Sequence, residues 1–354
     1  MQDFVEFNLF ASGDGTSENP YLIETAQQFE NIQYRAVKSA DVISYYTNGG
    51  TYETEEEIYH FSIQQNITGI EFEGLLVSGS FTGVIAGNQH TISYTATGVE
   101  ALTSTLSIGS GENRIPSLTS GTSTTTYSYG AGLFEILTST ATSTASISDL
   151  TVEANFVGVE AVEANLLVGG IAIDSSGSIS NVNISGFNST LVVYEANSRL
   201  IGAYAGITAM NRDKGEVKSC AVISDITLSD SSSGTTYTQN FFIGGLVFTN
   251  YGTISDSDIN ANITLNLSST SQATHQLAGI TVGSTTSGSV TGNSVAEGCI
   301  LTINCPEMNG HIGYIAGISC YARGTTNGNT ATSCVQGVNF QEGNLTTQDT
   351  FIPV

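Results

Sequence analysis

Asp256 and Asp258 stand two residues apart, and Asp225 and Asp230 precede them by roughly one internal repeat. Residues i and i+2 of a strand lie about 7 Å apart on one face, and a carboxylate pair ~5–9.5 Å apart is what glycosidic hydrolysis uses. Asp225, Asp256 and Asp258 are therefore the candidate catalytic residues, with Asp174 and Asp213 expected on nearby turns. The competing reading is a set of solvated surface carboxylates, and the sequence favours it. Asp is common in turns, and this pair alternates imperfectly with the inward positions Ile254 and Ile259. A lyase needs a strong base beside metal-binding carboxylates. Arg212, Lys214 and Lys218 cluster but interleave with Asp213 and Glu216, which reads as a local ion-pair patch of small energetic value. His60, His90, His275 and His311 are scattered, and His90 is expected to serve a turn. There is no GxSxG elbow, phosphate loop or Cys–His pattern.

Binding chemistry points elsewhere. Tyr45, Tyr46, Tyr52 and Tyr59 crowd an N-terminal insertion, and Tyr127 and Tyr129 lie at the edge of a Ser/Thr/Gly-rich excursion. Such rings stack on ligands or anchor loops. The acidic run Glu53–Glu57 reads as a solvated loop, with a weak calcium site as the alternative. No cofactor is expected. The odd cysteine number, Cys220, Cys299, Cys305, Cys320 and Cys334, contains no CxxC pair and argues against zinc. Small buried thiols are the simplest reading, with a single bridge, Cys299–Cys305 or Cys320–Cys334, as the alternative.

The elements that position these groups follow from composition and repetition. Charged residues are only 11% of 354, against ~25% in ordinary domains, while Gly numbers 39. Hydroxyl- and amide-covered chains rich in Gly suit strands closed by tight turns. A net charge of −24 without a basic cluster excludes nucleic-acid binding and disfavours anionic polysaccharides. No stretch approaches the ~20 apolar residues of a membrane helix. Met1 runs straight into polar sequence, so a removed leader is expected, a cytosolic protein being the alternative.

From about residue 130 the chain repeats. Gly132, Gly170, Gly206, Gly245, Gly279 and Gly317 each precede Leu or Ile. A second half-repeat is Gly-x-Ile/Val with another aliphatic five residues later: Ile179 and Ile184, Val217 and Val222, Ile254 and Ile259, Val290 and Val295. Ile147 and Val152 form a weak copy, and Gly328-Asn-Thr330 with Val335 another. Alternation of β-branched residues marks strands. One such unit is one coil of a solenoid, its equivalent strands stacked ~4.8 Å apart. The predicted fold is all-β, a right-handed parallel β-helix with coils of roughly 37 residues. Ile179, Val217, Ile254 and Val290 form one inward ladder; Ile184, Val222, Ile259, Val295 and Val335 form another. A β-propeller is the alternative, disfavoured by shorter units and absent Trp.

The predicted organisation is an N-terminal cap over 1–60, coils over 61–338 with a long loop at 97–128, and a terminal strand and tail over 339–354. Thr25 is a predicted N-cap, and Phe29, Ile32, Ala36 and Val37 share the face of a short helix that covers the solenoid end.

The opening GDGTSENPYLIETAQQF (13–29) resembles the GxGTxxxPYxIxTxxxL opening of bacterial surface proteins carrying GLUG repeats. FTGVIAGNQHTI (81–92) is similar to their FxGxFDGNGHxI motif, though Gln89 replaces a turn glycine, and GGLVFTNYGTISDSDI (244–259) resembles the repeat itself. The resemblance implies a β-helix, secretion and cell-surface adhesion. GLUG repeats also accompany an IgA-specific metallopeptidase domain, but HExxH is absent here. The expected function is a secreted or surface adhesin-like module, a monomer that binds host or environmental glycan or surface protein or acts as a spacer. The alternative is an extracellular polysaccharide hydrolase or lyase.

Overall fold

The computed structural model describes residues 9–36, 58–108, 125–139, 144–158, 164–190, 200–229, 239–267, 274–305, 312–331 and 335–340. It is a parallel β-solenoid of about 6 turns. A representative coil runs through strands Leu200–Ala205, Thr208–Asn211, Glu216–Lys218, Ala221–Val222 and Ile226–Ser229. Each pairs in parallel with its counterpart in the next coil.

Inward positions stack into the expected ladders. Phe61, Ile85, Ile147, Ile179, Val217, Ile254 and Val290 are successive register partners, and all are buried. Burying each aliphatic contributes about 1.5–3 kcal/mol. Ile92, Val152, Ile184, Val222, Ile259 and Val295 form the second ladder. Its last expected member is corrected: Ala331, not Val335, lies opposite Val295, while Val335 pairs with Ile300. The true last copy is Gly324-Thr325-Thr326, with Thr326 opposite Val290. Threonine and alanine in place of aliphatics hid this register, and Gly328, four residues on, imitated the repeat glycine.

The glycines before Leu or Ile form a column for a reason other than φ. None of Gly170, Gly206, Gly245 or Gly279 adopts the left-handed region. A Cβ on Gly206 would lie 2.3 Å from the Gly245 carbonyl oxygen, and one on Gly245 1.9 Å from that of Gly279. The backbone of one coil thus occupies the space a side chain would need in the next. The corner also folds back sharply, since a Cβ on Gly244 would meet the Val247 carbonyl at 1.9 Å. Each corner joins two four- to six-residue strands and reaches the middle of the core. The Tyr94 hydroxyl donates to the Gly170 carbonyl at 2.8 Å, and Ile259 Cδ1 lies beside Gly245.

The two arms of each corner meet in a second apolar cluster. Ala203, Ala205, Phe242 and Ala278 come from one column of arms, and Ala209, Met210, Phe248 and Val282 from the other. The Phe242 and Phe248 rings stack across it at 5.9 Å with a 12° interplanar angle. The arms are buried on both faces, which is why Ala172–Ser175, Thr208–Asn211 and Val247–Asn250 show no exposed alternation.

The N-terminal end is closed. Thr25 caps the helix Ala26–Glu30, its Oγ1 accepting from Gln28 N at 3.2 Å, and Phe29 and Ile32 are buried against the core. A short helical turn, Gln33–Ala36, follows. Strand Tyr21–Ile23 pairs with His60–Ile63 on one side, and Leu22 exchanges hydrogen bonds with residues 11 and 12 on the other. The stretch 97–128 is not loop throughout: Glu100–Ile108 is a strand, antiparallel to the start of Thr125–Leu137. The last described strand is Val335–Phe340. Cys220 and Cys320 are free thiols, so the Cys320–Cys334 bridge does not form, and Cys334 lies outside the described residues.

Candidate functional site

The carboxylates proposed for catalysis belong to the turn architecture. Asp149, Asn181, Ser219 and Asp256 have φ of 55°, 54°, 52° and 52°, and Gly292 and Gly328 follow at 66°. They occupy one position in successive coils, a single left-handed residue that turns the outer sheet. Asp and Asn tolerate this conformation better than other side-chain-bearing residues. Asp256 therefore sits in an exposed turn between Thr253–Ser255 and Asp258–Ile259, not on a continuous strand with Asp258. Beneath this column runs a buried polar one. Cys220 N donates to Ser257 Oγ at 3.1 Å, Ser257 N to Asn293 Oδ1 at 3.0 Å, and Asn293 N to Asn329 Oδ1 at 3.0 Å. Each turn is thereby fastened to the coil beyond it.

Asp258 and Asp225 have similar occupations. Asp258 lies opposite Ala221 and Ser294, and Oδ1 accepts from Ser294 Oγ at 2.5 Å. Asp225 accepts from Asn262 N at 2.9 Å, and Asn262 Oδ1 in turn accepts from Ile300 N at 2.9 Å. These bonds link neighbouring coils. They do not gather the three carboxylates about one substrate position.

The basic cluster is only partly as expected. Asp213 lies on a turn, but Asp174 does not: it is a buried residue of strand Ala172–Ser175. Arg212, from the following coil, grips it with Nε to Oδ1 at 2.7 Å and Nη2 to Oδ2 at 2.8 Å. Burial pushes the Asp174 carboxyl up, and the Arg212 hydrogen bonds only partly pull it back. Burial alone would lower the Arg212 guanidinium, yet its bonds to Asp174 leave it above its ordinary value. This fork-to-fork pair fixes geometry as well as charge. The Arg212 guanidinium also lies over the Tyr251 ring, 5.6 Å from its centroid.

Of the aromatic candidates, Tyr45, Tyr46 and Tyr52 lie outside the described residues, as does the run Glu53–Glu57. Tyr59 is half-buried against the core, 6.1 Å from the Tyr21 ring. Tyr127, expected in an exposed loop, is fully buried in the second apolar cluster beside Phe248, because its strand is roofed by Glu100–Ile108. Tyr129 is half-buried. His90 follows the left-handed residues Asn88 and Gln89 and pairs opposite Leu150. His275 is buried, its Nδ1 accepting from Phe241 N at 3.4 Å, and His311 lies outside the described residues.

Glu135 was missed. It is fully buried, with Oε2 accepting from Gly79 N at 2.6 Å and Oε1 from Thr103 N and Oγ1 at 2.6 and 2.7 Å. A glutamate inside the apolar run Gly132–Leu137 was the available signal. The carboxylate satisfies two strands at once, so it is structural. Among the described residues, no group of three His, Cys, Asp or Glu could hold a metal ion, and no helix is long and apolar enough to cross a membrane.

No family model, curated protein or solved structure matches this chain.

Proposed function

We propose that this chain is a non-catalytic, adhesin-like module of a secreted or cell-surface protein, a β-solenoid that presents a glycan- or protein-binding face or holds one at a distance. One observation carries this reading. Asp225, Asp256 and Asp258 each serve a turn or an inter-coil hydrogen bond, which accounts for them without a substrate. A hydroxyl- and amide-rich exterior with few charges fits a surface that makes many weak contacts, and the GLUG resemblance of the opening and of residues 244–259 points the same way. The test is a glycan-array and surface-protein binding screen of the purified chain, run beside reducing-end and unsaturated-product assays on a polysaccharide panel. Saturable binding without cleavage is expected. Cleavage abolished by Asp256→Asn or Asp258→Asn would overturn the reading.

A further inference from the structure

In the last described coil, strand Thr325–Asn327 is followed by Gly328, which holds the left-handed turn position at φ 66°. In the three coils before it, the residue at this position donates its backbone N–H to the coil beyond. Ser219 N donates to Ser255 O at 3.0 Å, Asp256 N to Thr291 O at 3.1 Å, and Gly292 N to Asn327 O at 2.9 Å. Gly328 N has no such acceptor among the described residues. A Cβ placed on Gly328 would find Gly292 backbone at 3.7 Å and nothing nearer, so the turn is open around it. Asn327, immediately before it, is exposed, and its amide has no hydrogen-bond partner among the described residues.

Other asparagines of the outer sheet are occupied or shielded. Asn181 donates Nδ2 to Asp149 Oδ1 at 3.1 Å, Asn293 to Ile254 O at 3.1 Å, and Asn329 to Val290 O at 2.7 Å. Asn188 is exposed, but its strand is paired on both sides and Ser189 follows it. Asn327 is the only asparagine among the described residues that precedes a glycine; Asn48-Gly49 and Asn309-Gly310 lie outside them. Glycine puts no side chain in the way of its own nitrogen and moves freely in φ and ψ. A free amide carbon and a free, unhindered backbone nitrogen are thus one bond apart in sequence, at the end of the described solenoid.

We infer that Asn327-Gly328 is a site of spontaneous deamidation and backbone isomerisation in the folded chain. Gly328 N, after giving its proton to a solvent base, attacks Asn327 Cγ. The new N–C bond closes a five-membered succinimide, and the Cγ–Nδ2 bond breaks as Nδ2 takes up a proton and leaves as ammonia. Water then opens the ring. Addition at the former side-chain carbonyl gives aspartate; addition at the main-chain carbonyl gives isoaspartate, whose backbone runs through the β-carbon. Nothing is oxidised or reduced, and water is the only reactant consumed. Ring closure requires Asn327 to leave its extended conformation and release the bond from Gly292 N. Its strand is paired on one side only among the described residues, with Ser289–Thr291, and such edges open at little cost in free energy. Either product adds a carboxylate to the outer column Lys218, Ser255, Thr291 and Asn327, and isoaspartate lengthens the main chain where the register with Thr291 must hold. The last coil therefore loosens with age, whatever ligand the chain binds.

The experiment incubates the 354-residue chain at neutral and mildly alkaline pH, native and in urea, and follows tryptic peptides by mass spectrometry. Cleavage after Arg323 places Asn327 in segment 324–354, apart from Asn48 and Asn309, and fragmentation locates the change within it. Conversion makes the peptide heavier by one mass unit, the difference between water gained and ammonia lost. In the native chain Asn327 should convert about tenfold or more faster than Asn181, Asn188, Asn293 or Asn329, faster still at the higher pH, and within about tenfold of its own rate in urea. Asn327→Thr copies the Thr291-Gly292 turn of the preceding coil, and should remove this conversion while keeping the far-UV spectrum of fresh wild type. Native conversion at Asn327 no faster than at Asn188, or more than about tenfold slower than in urea, would overturn the inference, because the fold would then protect the site.

Discussion

Substituting alanine at Gly245 tests the column of stacked corners directly. The added methyl would sit 1.9 Å from the Gly279 carbonyl oxygen and 2.9 Å from Ile259 Cδ1. The isoleucine tip can rotate away, but the oxygen belongs to the next coil and cannot retreat without opening the ladder. Overpacking in a rigid interior costs about 1–3 kcal/mol. Displacing the corner also weakens the bonds Gly245 N to Ala278 O and Gly206 N to Gly245 O, each contributing about 0.5–1.5 kcal/mol. Gly245→Ala should therefore destabilise by about 2–6 kcal/mol. Gly186→Ala is the control, because its methyl would find only Glu153 side-chain carbons at 3.9–4.0 Å and its φ is not left-handed. Urea unfolding followed by far-UV circular dichroism measures both. A Gly245→Ala midpoint indistinguishable from that of Gly186→Ala would refute the idea that neighbouring backbone fills the place of a side chain.

Other consequences are open to similar measurement. Gln89 holds φ of 65° where a turn glycine suits the backbone, so Gln89→Gly should stabilise by about 0.5–1 kcal/mol, the ~1–2 kcal/mol left-handed cost less the added chain entropy; a lower urea midpoint would contradict this. Arg212→Ala leaves the buried Asp174 carboxylate without its partner and should cost about 3 kcal/mol, with Arg212→Lys recovering only part because ammonium cannot form the paired fork. Burial pushes the Cys220 thiol up to about 12. The native state thus keeps its proton while the unfolded thiol ionises, so this group's contribution is constant below about pH 8.5 and stability falls as pH rises from there toward 12. Replacing Cys220 with Ala should flatten that alkaline decline, and the wild-type thiol should resist a thiol-specific reagent until denaturant is added.

Ladders were legible because aliphatics recur with the period of the coil. Ile179, Val217, Ile254 and Val290 sit in the register their spacing implies. The reading slipped at the last coil, where Thr326 and Ala331 replaced the aliphatics and no apolar signal marked the register. The corner glycines and the tight bend at them were legible, but not that the backbone of the next coil fills the place of a side chain. Arms buried on both faces show little alternation, and no periodicity marks Ala203, Ala209 and Ala278 as the small residues that let two strand columns approach. The Arg212–Asp174 pair was unreadable for another reason. It spans 38 positions, and sequence proximity instead suggested Asp213 and Glu216.

Asp256 shows most clearly how a solenoid misleads a search for catalysis. A repeat places the same backbone problem at the same angle in every coil, and a left-handed turn selects Asn, Asp or Gly each time. Asp149, Asn181, Asp256, Gly292 and Gly328 are five answers to one steric demand, with Ser219 a costlier sixth. Asp256 then stands in its turn for reasons of φ, next to an Asp258 that bonds Ser294 in the following coil, and the two together imitate a catalytic pair. The discriminating property is interchangeability. A catalytic Asp loses its function as Asn or Gly, whereas Asp256→Gly should be tolerated, because Gly292 and Gly328 already hold that position in the next two coils. Loss of the fold in Asp256→Gly, or of a ligand-dependent activity in an otherwise native Asp256→Gly protein, would show that the carboxylate does more than turn the chain.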